Sequence, residues 1–204
     1  MLRLDHLAVS ATTLADATAQ LETCMGYEAV PGGQHDHFAT HNTLMGCGPE
    51  FYLEAIAIDP NASAPPYPRW FALDQFDGPA RLTNWILACD DLDAALAAVG
   101  PGFGAPVSLQ RRDFKWRMAV PDTGVLPFDG MAPALIQWDG DAHPAPRLPD
   151  CGARLLGMQV RHPDASAMAD LLTPLLEDDR VTYVEGQPGM MAAFETPDGV
   201  VKLS

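Results

Sequence analysis

The sequence predicts an α+β fold assembled from repeated βαβββ modules. Two observations carry this: an opening stretch that recurs twice, and a train of short strand-like segments after each copy. "LDHLAVSATTLADATAQL" (4–21) aligns with "LTNWILACDDLDAALAAV" (82–99) and, more weakly, with "LLGMQVRHPDASAMADLL" (155–172). The first two copies read as a strand, a polar turn with Thr or Asp placed as N-cap, and an Ala/Leu amphipathic helix; the third has the same outline.

In the first module "HNTLMGCG" and "EFYLEAIAI" follow a Gly-rich loop. The second continues with "APVSLQRRD", "KWRMAVP" and "APALIQWD", the third with "RVTYVEG", "MMAAFETPDG" and "VVKLS". Gly48-Pro49, Pro121-Asp122 and Pro197-Asp198-Gly199 supply the turn chemistry between strands. Proline-rich stretches read as stiff surface linkers. The expected organisation is therefore a module at 1–58, a linker at 59–79, a module at 80–139, a linker at 140–151 and a divergent module at 152–204. One such module has too few residues for its own core, so modules must pack together.

Bulk properties narrow the function classes. Hydrophobic residues make up 48% of the 204 and charged residues 19%, a globular balance. A formal net charge of −15 argues against nucleic acid and anionic membrane as partners. No apolar run reaches the length of a membrane span, and no basic region precedes an apolar segment at the N-terminus. Cys24, Cys47, Cys89 and Cys151 are scattered without a C-x-x-C pair, which suits buried thiols in a reducing cytoplasm. Dinucleotide, P-loop and serine-hydrolase motifs are absent.

Candidate chemistry begins with His6, an imidazole inside an apolar strand. Period-2 alternation sends Leu7 and Val9 to one face and Leu4, His6 and Ala8 to the other. Asn84 occupies the His6 position in the second copy and Gly157 in the third; Trp85 aligns with Leu7 and is expected to pack toward the helices. "GGQHDHFATHN" (32–42) holds His35, His37 and His41, and "QRRDFKWRMAVP" (110–121) is the densest basic patch. If its strands are continuous, Arg112, Trp116 and Met118 share one face and Arg111 and Arg117 the other.

Several of these patches, in this order, resemble the vicinal oxygen chelate superfamily in its glyoxalase-like domain branch. They are "LDHLAV", "GGQHDHFATHN" beside G-G-x-H-x-x-x-G-T-x-N, "FYLEAIAID", "RRDFKWRMAVP" and "LPFDGMAPALIQWDGDAHP". The resemblance implies that two modules curl into a cup-shaped sheet, with ligand positions on the first and last strand of each module. Carried over, those positions are His6 and Glu54, then Asn84 and Gln137, with Gly157 and Lys202 in the third copy. The second histidine that extradiol dioxygenases of the superfamily use is absent, so that chemistry is disfavoured.

The implied function is metal-assisted lyase or isomerase chemistry on a small oxygen-rich substrate. His6, Glu54 and Gln137 would hold one divalent ion (Zn, Ni, Mn or Fe), and His6 and Glu54 would be catalytic. Asn84, Gln137, His35, Arg112 and Trp116 would contact substrate; Arg111, Arg112 and Arg117 could each clamp its anionic group, Arg112 being the one assigned. Without a metal, Glu54 would be the general base, burial raising its pKa toward neutrality. The alternative is a metal-free, non-catalytic binding protein of the same fold. His37 and His41 are expected at the surface, Trp138 facing away from the cup, and the unpaired third module in a homodimer.

Overall fold

The structure, a computed structural model, describes residues 1–204. The first unit runs β1 (Arg3–Ser10), α1 (Leu14–Met25), β2 (Val30–His35), β3 (Thr40–Gly46) and β4 (Tyr52–Ile58). The second repeats it with β5 (Arg81–Ala88), α2 (Leu92–Val99), β6 (Ala105–Arg111), β7 (Phe114–Val120) and β8 (Ala134–Trp138). Thr13 and Asp91 cap the two helices, accepting from the backbone N–H of Asp16 and Ala94 at 3.1 and 3.0 Å. The glycine-rich segment expected as a loop is largely strand: β2 pairs with β3 from Val30↔Leu44 to His35↔Thr40.

Each unit pairs its first strand in parallel with its last, and β1 and β5 join antiparallel at the centre. The result is one eight-stranded sheet in the order β2-β3-β4-β1-β5-β8-β7-β6. Trp85 is wholly buried on the helix side, as its alignment with Leu7 requires.

The third unit keeps the element order but not the wiring. It comprises β9 (Arg154–Arg161), α3 (Ala165–Leu172), β10 (Val181–Val184), β11 (Gly189–Thr196) and β12 (Gly199–Leu203), ordered β10-β9-β11-β12. Its first strand takes the strand directly after the helix as parallel partner, and β11 enters between β9 and β12. Ala193 therefore pairs with both Gly157 and Lys202, and the two expected ligand positions are not neighbours. The third unit seats on the first two: Leu2 bridges Leu176, Phe194 meets Phe51 and Tyr183 meets Trp85. One cluster of 48 buried residues spans all three units. The odd unit's need for a packing partner is thus met within the chain.

Both proline-rich stretches depart from the linker expectation. Trp70, Phe71 and Leu73 are buried in a 3-10 segment at Trp70–Gln75, which lies across the cup as a strap. Within 140–151, Ala145 and Cys151 are buried, and the Cys151 and Cys47 sulfurs lie 3.6 Å apart. No helix is long and apolar enough to cross a membrane.

Candidate active site

The site grows from an irregularity in β1. Opposite β5, Leu4 pairs with Leu87 and His6 with Ile86, so Asp5 is an extra residue with no partner. Such a bulge re-aims a side chain, and here it brings the Asp5 carboxylate to the face that carries His6. Asp5 Oδ1 lies 2.5 Å from His6 Nδ1, while Oδ2 accepts from Trp138 Nε1 at 2.9 Å and His143 Nε2 at 3.0 Å. Across the imidazole, His6 Nε2 faces Glu54 Oε2 at 3.6 Å, and Tyr52 stacks on the ring at 4.3 Å.

Glu54 is fixed from the other side by Asn42, whose Nδ2 donates to Oε1 at 2.5 Å. Asn42 Oδ1 in turn accepts from Gly33 N and from Arg111 Nη1, both at 2.9 Å. The Gly32-Gly33 pair makes this approach feasible. A Cβ on Gly32 would fall 2.0 Å from Asn42 Oδ1, and one on Gly33 2.9 Å from Arg111 Cδ. His35 completes the ring of polar groups, with Nδ1 on the Thr40 hydroxyl at 3.1 Å and Nε2 3.4 Å from Arg111 Nη1. Asp5 and His6 are each only 3% exposed.

Burial alone would empty this site of charge; its hydrogen bonds reverse that. For His6, desolvation pulls the pKa down, but bonds to Asp5 and Glu54 raise it to about 9. Burial likewise opposes ionisation of Asp5 and Glu54, yet His143 and His6 hold Asp5 well below its ordinary value, and His6 and Asn42 lower Glu54. His35 is pushed down to about 4, by burial first, with Arg111 and His6 adding repulsion against the attraction of Glu54. At neutral pH the site thus holds an imidazolium facing a carboxylate, beside a neutral imidazole and a guanidinium. The expectation that burial would raise Glu54 toward neutrality is overturned, because His6 carries the opposing charge.

The structure brings His6, Glu54, His35 and Trp116 together in the cup wall. It does not bring Gln137 or Arg112. Gln137 lies on the helix face, where Oε1 accepts from Leu92 N at 2.9 Å and caps α2. The register explains this: Glu54 pairs with Ala8, and the aligned residue Ile86 pairs with Ala134, so Ala134 is the counterpart of Glu54. The same parity turns Trp138 into the cup, 5.5 Å from Trp116. Arg112 sits exposed at a hairpin tip with φ 55. Its two-residue turn pairs Arg111 with Phe114, which puts Arg111 on the face of Trp116 and Met118. Asn84 shares the His6 face of the sheet through its pairing with Ala8, but lines a separate cavity beyond Phe71. His37 is exposed as expected; His41 is half-buried.

Sequence reasoning passed over Asp5, Tyr52 and His143 as functional groups. Asp5 adjoins His6 in "LDHLAV", yet a strict alternation sends it to the wrong face.

For a metal ion the donor set falls short. His6 Nε2 and Glu54 Oε2 face one another, Gln137 is on the other side of the sheet, and Ala134 has no donor. Asp5 is spent on the far nitrogen of His6. No group of three or more His, Cys, Asp and Glu side chains is placed to hold an ion, so the residues present do not build a three-ligand centre. Free space between the charged groups is only about 20 Å³, near the room that one water needs.

Comparison with known proteins agrees with this architecture. The family model described as "Glyoxalase-like domain" matches residues 4–176. A hypothetical protein from Staphylococcus aureus has the same fold, with a TM-score of 0.65 and 14% identity, covering 92% of this chain and 88% of that one. A methylmalonyl-CoA epimerase from Streptomyces coelicolor, solved with 2-nitronate-propionyl-CoA, aligns at a TM-score of 0.45 and 13% identity over 69% of this chain and 96% of its own. Curated protein sequences gave no significant match. With the cup-shaped eight-stranded sheet and a family match over most of its length, the chain belongs to the glyoxalase-like domain family of the vicinal oxygen chelate fold.

Proposed function

We propose that the cup is the proton-transfer site of a lyase or isomerase acting on a small, oxygen-rich, anionic substrate. The observation that carries this is the buried His6–Glu54 pair, an acid and a base 3.6 Å apart whose charge states are set by Asp5 and Asn42. Neighbouring groups driven to opposite protonation states are the usual equipment for moving a proton at constant pH.

A substrate can enter between them only when the Trp70–Gln75 strap moves off the cup, since the space there is about 20 Å³, and it then replaces the His6–Glu54 contact. Glu54 then loses the interaction that lowers its pKa but keeps its burial, so its basicity rises as substrate binds. Glu54 Oε2 takes a proton from a carbon beside a carbonyl, while His6 Nε2 gives its proton to the carbonyl oxygen, leaving a neutral enol. Returning both protons with the carbon proton on the other face or on the neighbouring carbon completes an isomerisation; in a lyase reaction the enol O–H proton returns to His6 as the carbonyl re-forms, and the expelled β-substituent leaves with the proton held by Glu54. Arg111, rather than Arg112, is the cation placed to hold a substrate oxyanion.

The test is solvent-deuterium exchange, followed by NMR, into a panel of small 2-hydroxy and 2-oxo carbonyl compounds. Exchange should occur in the wild type and fall by about 10²–10⁴-fold in Glu54→Gln with the fold intact. Saturable binding without exchange would replace catalysis with a binding role, and exchange unchanged in Glu54→Gln would remove Glu54 as the base.

A further inference from the structure

A second cavity, of about 650 Å³, lies beyond Phe71, which lines both it and the cup. Its walls are the start of β5, the strap, the loop 125–131 and the end of the third unit's sheet. This volume falls in the usual range for small-molecule sites.

The distribution of positive charge singles it out. Arg3, Arg69, Arg117, Arg147, Arg154 and Arg180 each hold a carboxylate within salt-bridge distance. In a chain of net charge −15 that is the expected fate of an arginine. Of the four without such a partner, Arg111 serves the cup, Arg112 sits at a hairpin tip, and Arg81 and Arg161 both line this cavity. Arg81 is oriented, stacked 4.2 Å above Phe76 with Nη1 donating to the Asp77 carbonyl at 2.7 Å. Arg161 lies across Gly189, where a Cβ would stand 3.1 Å from Nη2. The one acidic side chain in the wall, Asp129, is engaged by His162 Nε2 at 3.2 Å. Asn84 also lines the cavity, is 3% exposed, and its Oδ1 has no donor in the chain. A buried acceptor without a partner is rare enough to require a reason.

We infer that this cavity is a binding site, separate from the cup, for an organic anion: a carboxylate or phosphate ester that also carries a hydroxyl. The anionic group engages Arg81 and Arg161, the hydroxyl faces Asn84, and the carbon skeleton lies against Phe71, Phe76 and Leu126. Guanidinium forks suit both anion types.

Calorimetric titration at constant ionic strength tests this with malate and glycerol 3-phosphate, and with inorganic phosphate and glycerol as half-probes. The site is supported if malate or glycerol 3-phosphate binds saturably and more tightly than either half-probe. Binding should weaken at least tenfold in Arg81→Gln and in Arg161→Gln, and stay within twofold in Glu54→Gln. Both arginines are exposed, so the variants should fold, and their melting temperatures confirm it. No saturable binding of either probe, or binding unchanged in both arginine variants, overturns the proposal. Equal loss in Glu54→Gln also overturns it, by placing the anion in the cup; the acid–base reading of His6 and Glu54 survives each of these failures.

Discussion

At the scale of single residues, charge in the cup is decided by three side chains that hold one another. His6 stays protonated because Asp5 and Glu54 flank both ring nitrogens, so folding raises its pKa from 6.5 to about 9. A raised cationic group stabilises the fold fully below its unfolded pKa and loses that contribution as pH climbs through the folded one. The melting temperature should therefore fall between about pH 6.5 and 9. In Asp5→Asn that slope should flatten, with a loss of about 3 kcal/mol at neutral pH from breaking a buried charged contact. A pH series of thermal melts on both proteins checks it. Gly32→Ala offers a second check: displacing Asn42 frees one oxygen of Glu54, and exchange activity should drop about tenfold, the scale of one lost hydrogen bond to a charged group.

The residues that could be recognised from sequence were those a strict alternation places correctly. His6 and Glu54 follow the strand period, and His35 comes with the Gly32-Gly33 pattern, which also contains Asn42 without marking it as a site residue. Asp5 escaped because a bulge interrupts the period, and no residue in "LRLDHLAVS" announces it. Arg111 was exchanged for Arg112 because the turn between them and Phe114 resets the parity. Gln137 is the position that the family resemblance carries over, but the strand register puts Ala134, three residues earlier, opposite Ile86, and a shift of odd length turns a side chain to the opposite face.

At the scale of elements, the strap at Trp70–Gln75 walls the cup through Trp70 and Phe71. Phe71 and Ala72 adopt φ of 60 and 53, a left-handed pair without glycine. Such residues store strain of about 1–2 kcal/mol each. Ala72→Gly should relieve part of it and raise the melting temperature, by an amount equivalent to about 1 kcal/mol; an unchanged or lower value would show that the strap is unstrained there. From sequence the prolines of this segment read as a linker, although Trp70 within it reads as core or cup wall, and Trp70 is indeed buried. The burial of Trp70 and Phe71 depends on a cup surface assembled from both units, which local composition does not report.

The third unit carries the same lesson at the level of wiring. Helix and strand order were readable from its periodicity, but order along the chain leaves strand adjacency open. A strand–helix–strand passage closes readily onto an adjacent parallel strand. In the first two units two further strands intervene before the parallel partner arrives.

At the scale of the whole molecule, all three units share one core, so the third is part of the fold's stability. Phe194, Met168 and Leu203 are buried in the same cluster as Leu7 and Trp85. A chain ending at residue 151 should expose the faces around Leu2, Phe51 and Trp85 and fail to give a cooperative thermal transition. A soluble, cooperatively melting 1–151 fragment would show that the eight-stranded sheet is self-sufficient.

The cup itself is walled by the first two units and the strap between them. With Trp70, Phe71, Trp116 and Trp138 around it, the His6–Glu54 pair works in a low-dielectric setting where hydrogen bonds fix its protonation state. NMR titration of the His6 ring nitrogens, with the signals assigned by comparison with Asp5→Asn, tests that state directly. The expected result is an imidazolium at pH 7.5 that titrates near pH 9. A neutral ring at pH 7.5, titrating at or below 6.5, would contradict it.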